Sequence, residues 1–265
     1  MSSDTLNQIE KGEFFLIAGP CVAESEELCL HVAETVKKLC DARKVPYIFK
    51  ASYRKANRLS GQSYTGPGDN EGLAMLATVK SKLLLPILTD VHETTEVSAA
   101  AQVADILQIP AFLCRQTDLI IKAAQSDRWV NIKKGQFLAP EDMKPIAEKA
   151  GSKKIMLTER GTTFGYRNLV VDFRSLLIMR QTGFPVIFDA THSLQIPGGG
   201  GNVSTGQPEY IIPMARAAVA VGVNGLFVET HAKPHEAKSD AGAMLPLDKM
   251  EQLLDEVLKI RNARF

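Results

Sequence analysis

Short apolar runs separated by longer amphipathic stretches recur eight times along this chain, and that alternation constrains its fold more than any other feature. Runs at Phe14–Ala18, Tyr47–Lys50, Pro86–Thr89, Ile106–Ile109, Val130–Lys133, Lys154–Thr158, Val186–Asp189 and Gly225–Glu229 read as strands, because a parallel strand covered on both faces is apolar throughout. In the stretch after the first run, Leu28, Val32, Val36 and Leu39 recur at three- and four-residue spacing, which leaves Glu24, Glu26 and Lys37 to solvent. The same periodicity predicts helices over Glu71–Leu83, Thr94–Ala101, Asp118–Ala124, Pro140–Lys149, Phe173–Gln181, Pro208–Val221 and Leu247–Asn262. Pro140 and Pro208 fall near helix starts, where proline is tolerated. Eight βα units in 265 residues predict an α/β chain closed as one (β/α)8 barrel, a single domain over residues 1–265.

The charge balance narrows the function. With 31 Lys+Arg against 30 Asp+Glu and a net charge of +1, the chain lacks the excess of a protein that wraps nucleic acid. No stretch of about 18 uninterrupted apolar residues argues for a membrane span. The polar start MSSDTLNQIEKGEF has no signal-peptide layout, so the expectation is cytoplasmic. Cys21, Cys29, Cys40 and Cys114 have no CxxC spacing and are expected to be thiols. Cys29 and Cys40 read as packing residues of the first helix and His31 as its solvated outer side, whereas Cys114 stays open and His235 has no obvious partner.

Two segments, Ser52–Asp69 and Ser193–Gln207, exceed what a βα unit needs and read as loops leaving strand C-terminal ends, the face where barrel active sites lie. The second contains the run Gly198 to Gly201. Nearly every strand ends in a reactive or ionisable residue: Cys21, Lys50, Asp90 with His92, Gln108, Lys133–Lys134, Glu159–Arg160, Asp189 with His192, and Glu229 with His231. Core packing does not require such a ring. Lys50, Lys55, Arg58, Lys133 and Arg160 together suit a small anionic metabolite carrying phosphate or carboxylate groups. Cys21, His192, Glu229 and Asp240 come from the first, seventh and eighth units, which adjoin when a barrel closes. Their thiolate, imidazole and carboxylates would suit Zn, Fe(II) or Mn. By spacing alone such dispersed ligands are a weak motif, and an inert buried Cys21 is the simpler reading.

At this point the motifs FKASYRKANR (Phe49–Arg58), TDVHE (Thr89–Glu93), QIPAFLCRQTD (Gln108–Asp118), NIKKGQF (Asn131–Phe137), TERGTTFGY (Thr158–Tyr166) and DATHSLQIPGG (Asp189–Gly199) enter the argument. The sequence resembles the 3-deoxy-D-manno-octulosonate-8-phosphate synthases, nearly end to end from Ile17–Cys21 to Leu245–Leu247. That resemblance implies a homotetrameric barrel that condenses phosphoenolpyruvate with D-arabinose 5-phosphate and water and releases inorganic phosphate, in synthesis of the lipopolysaccharide core sugar. It implies that Lys50, Lys133 and Arg160 hold phosphoenolpyruvate, that Lys55 lies where the substrates meet, and that Asn57 and Arg58 contact arabinose 5-phosphate. Phe112 and Arg115 would reach a neighbouring subunit's site, and Asp90 and Gln108 would belong to the inner polar ring. Cys21 after Gly19–Pro20, with Ser239–Asp240–Ala241, matches the metal-dependent branch and makes Cys21, His192, Glu229 and Asp240 the implied ligand set, with Lys50, Lys55, His192 and Asp240 closest to the chemistry.

The chain departs from many relatives at Tyr53–Arg54, where Phe-Asp is usual, and at Leu59, where Ser is common. The closest rival is 3-deoxy-D-arabino-heptulosonate-7-phosphate synthase, which typically carries Lys-Pro-Arg-Thr where this chain has Lys55–Ala56–Asn57–Arg58. A non-catalytic anion-binding barrel is a remoter alternative, which would need the cation ring but not a complete metal set.

Overall fold

The computed structural model describes residues 2–56, 61, 63–166, 168–200 and 203–263. Eight parallel strands form the closed sheet: β1 (Phe15–Gly19), β2 (Tyr47–Lys50), β3 (Ile87–Asp90), β4 (Ile106–Ile109), β5 (Trp129–Lys133), β6 (Ile155–Glu159), β7 (Val186–Asp189) and β8 (Gly225–His231). They pair in chain order, and β8 closes on β1 with Phe15 opposite Gly225 and Gly19 opposite Glu229. The predicted strands therefore stand with their ends displaced by no more than two residues.

Strand parity organises everything else. Residues of one parity, among them Phe49, Leu107, Val130, Leu157, Phe188 and Val228, face the helices in the large outer core. The opposite parity fills the barrel interior with Phe15, Ile17, Ile48, Leu88, Ile106, Trp129, Met156, Ile187 and Phe227. Two residues further along the same strands, that interior parity arrives at Lys50, Asp90, Gln108, Asn131, Thr158, Asp189 and Glu229, with Lys133 two further along β5. The sheet is thus apolar inside at one end and charged inside at the other. Phe227 lies between, with Lys133 Nζ 3.8 Å and Lys50 Nζ 5.5 Å from its ring centroid.

The outer layer contains α2 (Glu26–Arg43), α3 (Asp69–Leu83), α4 (Val97–Val103), α5 (Thr117–Ala124), α6 (Met143–Glu148), α7 (Arg174–Arg180), α8 (Ile211–Val221) and α9 (Met250–Asn262). Helix α2 shows the logic: Ser25 Oγ accepts the Leu28 N–H at 3.2 Å, Glu26 and Glu27 occupy the positive N-terminal turn, and Cys29, Val32, Val36 and Cys40 are buried. Burial pushes the Cys29 and Cys40 thiols up to about 12, as fits packing residues, while His31 is exposed.

Three elements differ from the sequence reading. A helix α1 (Ser2–Glu10) precedes the barrel, and its Leu6 and Ile9 join the interior cluster at the apolar end. Segment Ser193–Gln207, expected as a loop, contains an antiparallel hairpin of Gln195–Gly200 with Val203–Gly206. A second small hairpin pairs Thr162–Thr163 with Leu169–Val170. Among the described residues no helix is long and apolar enough to cross a membrane.

Candidate functional site

The charged end of the barrel interior is a ring of paired groups. Lys50, about 1% exposed, donates to Glu229 Oε1 at 2.6 Å and to the Cys21 carbonyl at 3.0 Å. Gly19 lets the ends of β1 and β2 lie this close, since a Cβ there would stand 2.0 Å from the Lys50 carbonyl oxygen. Lys133 donates to Asp189 Oδ2 at 2.6 Å. Lys55 Nζ stands 3.9 Å from Asp90 Oδ2. Buried charges of this kind persist only when paired, and the pairing sets their titration. Burial opposes ionisation of Asp90, Asp189 and Glu229, yet their cationic neighbours hold all three well below the usual carboxylate range. For Lys55, burial is outweighed by Cys21, Glu229, Asp90 and Asp240, which hold the ammonium above its ordinary value. Lys133 is held below its ordinary value by burial, with Lys50 adding repulsion.

Arg160 is the exception to the pairing. Burial lowers its affinity for its proton, one nitrogen, Nη2, donates to Gln195 Oε1 at 3.2 Å, and Nη1 is buried without a hydrogen bond among the described residues. A buried guanidinium with an uncommitted edge is a ready partner for an anion.

Beside the cations, Cys21 Sγ, one carboxylate oxygen of Glu229 and one of Asp240 lie within 4.8 Å of one another, all three residues buried. The Cys21 thiol donates to Asp240 Oδ2 at 3.1 Å and lies 2.9 Å from Ser239 Oγ. Burial, then Asp240 and Glu229, push that thiol far above its ordinary value, so a positive charge is what the cluster lacks if sulfur is to become a thiolate. Asp240 has φ 49°, a left-handed conformation that aspartate tolerates better than most residues. Glu229 Oε2 is buried without a hydrogen bond among the described residues. His192 Nδ1 is 2.8 Å from Asp189 Oδ2, and its Nε2 is 3.6 Å from Glu229 Oε2. A carboxylate behind Nδ1 with Nε2 turned to the cluster is the usual orientation of a metal-binding imidazole. Donor set and orphaned oxygen both fit a divalent cation of borderline softness.

A hydrogen-bonded belt completes the interior: Thr158 Oγ1 donates to Asn131 Oδ1 at 2.7 Å, Asn131 Nδ2 to Gln108 Oε1 at 2.9 Å, and Gln108 Nε2 and Ser52 Oγ to Asp90. It crosses four neighbouring strands and ends on one carboxylate.

Of the residues singled out from sequence, the barrel brings together Cys21, Lys50, Lys55, Asp90, Gln108, Lys133, Arg160, His192, Glu229 and Asp240. Asn57 and Arg58 lie outside the described residues, as does Leu59. Phe112 and Arg115 are exposed on the turn after β4, Phe112 at 60%. Four members of the expected ring face elsewhere. Lys134 and Glu159 have outward parity and stand 3.6 Å from each other, His92 approaches Glu96 at 3.3 Å, and His231 Nδ1 accepts the Lys233 N–H at 2.9 Å. Arg54 is tied to Glu96 at 2.9 Å and Asp69 at 3.3 Å, and Tyr53 donates to Glu96 at 2.8 Å, so the two departures at that point anchor the β2 loop. Sequence reading missed Ser52, Asn131, Thr158 and Gln195. The first three follow from strand parity, and the fourth carries no signal beyond lying three residues after His192.

The profile of the DAHP synthetase I family matches residues 5–263. Proteins named 2-dehydro-3-deoxyphosphooctonate aldolase are similar over most of their length. That of Acidithiobacillus ferrooxidans is 57% identical over 244 residues, 91% of this chain and 87% of the relative. Those of Legionella pneumophila and Fusobacterium nucleatum are each 56% identical, over 92% and 94% of this chain and 90% and 91% of their own. A family match across the barrel and relatives of one name at this identity place the chain: it belongs to the DAHP synthetase I family, alongside the 2-dehydro-3-deoxyphosphooctonate aldolases.

Proposed function

We propose that this protein condenses phosphoenolpyruvate with D-arabinose 5-phosphate and water, giving 3-deoxy-D-manno-octulosonate 8-phosphate and inorganic phosphate. The observation that carries the reading is one buried cluster, Cys21, Glu229 and Asp240 within 4.8 Å, flanked by Lys50, Lys133 and Arg160, in a chain 57% identical to a 2-dehydro-3-deoxyphosphooctonate aldolase.

C3 of phosphoenolpyruvate attacks the aldehyde carbon of the pentose phosphate, water adds at C2, and phosphate leaves the hemiketal by C–O cleavage. Two phosphorylated anions must approach each other, which their charges oppose. Arg160 Nη1 and the Lys133 ammonium would take phosphoenolpyruvate, Lys50 would fix its orientation from the Glu229 side, and Lys55 would screen the approaching aldehyde. Burial makes Lys133 costly to keep charged, and an arriving anion offsets that cost. Asn57 and Arg58 would hold the pentose phosphate. Cys21, His192, Glu229 and Asp240 would hold the divalent cation, Zn, Fe(II) or Mn, with Asp189 fixing the His192 ring. Bound there, the cation supplies Lewis-acid chemistry for orienting water or polarising the aldehyde. The reading includes a cytoplasmic homotetramer in which the exposed Phe112 and Arg115 reach a neighbouring subunit.

Phosphate release with arabinose 5-phosphate and with erythrose 4-phosphate as alternative acceptors tests the proposal. Turnover restricted to arabinose 5-phosphate is the expected result, and preference for erythrose 4-phosphate would transfer the protein to its sister activity.

A further inference from the structure

Gln195 touches both halves of the proposed site. It opens the hairpin strand that follows the His192 turn, its Oε1 accepts from Arg160 Nη2 at 3.2 Å, and its Nε2 donates to Asp240 Oδ1 at 3.2 Å. Only one amide orientation satisfies both neighbours, because a guanidinium only donates and an ionised carboxylate only accepts. The partner hairpin strand is fixed in turn, since Thr205 bridges to Gly242 just beyond Asp240. The remaining atoms of each neighbour serve opposite ends of the chemistry. Arg160 Nη1 is buried without a hydrogen bond among the described residues, and Asp240 Oδ2 accepts from the Cys21 thiol.

A guanidinium and a carboxylate that share one bridging amide would pair with each other if they met, and the guanidinium edge would then be spent. We propose that Gln195 is a positioning residue, a neutral spacer that orients Arg160 and Asp240 while preventing them from pairing. The guanidinium edge thereby stays available to phosphoenolpyruvate, and Asp240 keeps its Oδ2 on Cys21. This inference rests on the reading of the mouth as an adjoining anion and metal site.

The test is calorimetric titration of phosphoenolpyruvate and, separately, Mn2+ into the wild-type protein, Gln195→Glu and Gln195→Ala. A glutamate would pair with Arg160 and add a carboxylate beside Asp240. Phosphoenolpyruvate affinity should then fall roughly tenfold or more, while Mn2+ affinity rises several-fold. Removing the spacer with alanine should weaken both, because Arg160 and Asp240 then collapse together. Loss of hairpin order alone would shift both ligands the same way in both variants, and an added charge alone would leave Gln195→Ala near wild type, so opposite signs in Gln195→Glu together with weakening of both in Gln195→Ala identify the spacer role. If that variant moves both affinities in one direction, or if Gln195→Ala leaves both unchanged, the inference is overturned while wild-type binding keeps the site reading intact. A wild-type protein that binds neither probe overturns the site reading and this inference with it.

Discussion

The two ends of the barrel interior are built on the same eight strands with the same side-chain parity, yet they are opposite materials. At the N-terminal end, Ile17, Ile48, Ile106, Met156 and Ile187 fill the space and α1 closes it with Leu6 and Ile9. At the C-terminal end, one step along the same parity for Lys50, Asp90, Asp189 and Glu229 and two for Lys133, the side chains are equally buried but ionic. The first end stabilises by removing apolar surface from water. The second gains little from its ion pairs, because desolvation consumes much of their attraction. One end therefore supports the fold and the other works at the fold's expense, and Phe227 is the floor between them.

Changes at the two ends should separate accordingly. Chelation of divalent metal, or Cys21→Ala, should abolish turnover while the circular dichroism spectrum and unfolding midpoint stay near wild type. Full turnover by metal-free protein would remove the metal from the reading. Lys133→Met should lower kcat/KM by about 10²-fold or more, the scale of losing one preorganised charged donor, and should also cost stability, up to about 3–5 kcal/mol, because Asp189 loses its buried partner. At the other end, Ile106→Ala should cost about 2–5 kcal/mol in denaturant unfolding while kcat of the folded enzyme holds. An equal loss of kcat there would mean that the floor transmits strain and the ends are not independent.

The smallest expected effect concerns a group outside the interior altogether. Glu96 meets the His92 ring at 3.3 Å and accepts from the His92 N–H and from Tyr53; although burial alone would raise it, those partners hold it down at about 2. Its folded value lies below its unfolded value, so its contribution to stability is complete above about pH 4.5 and fades as pH falls toward 2. Wild type should therefore exceed Glu96→Gln in unfolding midpoint at pH 7, and the gap should narrow at pH 3. A gap that stays constant would show that the anchor is not ionic.

The strands were legible because a strand buried on both faces writes a continuous apolar run, and at Tyr47–Lys50, Ile106–Ile109 and Val186–Asp189 even the ends agree with the structure. Helix α1 was not legible, because Leu6 and Ile9 are too few apolar residues to mark a face by periodicity; its partner is the interior of a barrel not yet formed. The hairpin within Ser193–Gln207 was missed because its glycines offer no alternating pattern. In the site, residue type found the cations and metal donors, but counting strand ends without parity added Lys134 and Glu159, which lie on the outward side of β5 and β6. Gln195 was invisible for a different reason: its importance comes from lying between two charges, a relation that exists only after β6 and the segment beyond β8 meet.

Helix α1 has a consequence for folding. Its Leu6 and Ile9 belong to an apolar cluster that takes Phe15 from the first strand of the barrel and Phe227 from the last. Nine residues cannot hold a helix in water unaided, so Leu6 and Ile9 stay unsheltered until the eighth strand has closed on the first. Helix α1 is thus a latch that only a completed barrel can fasten.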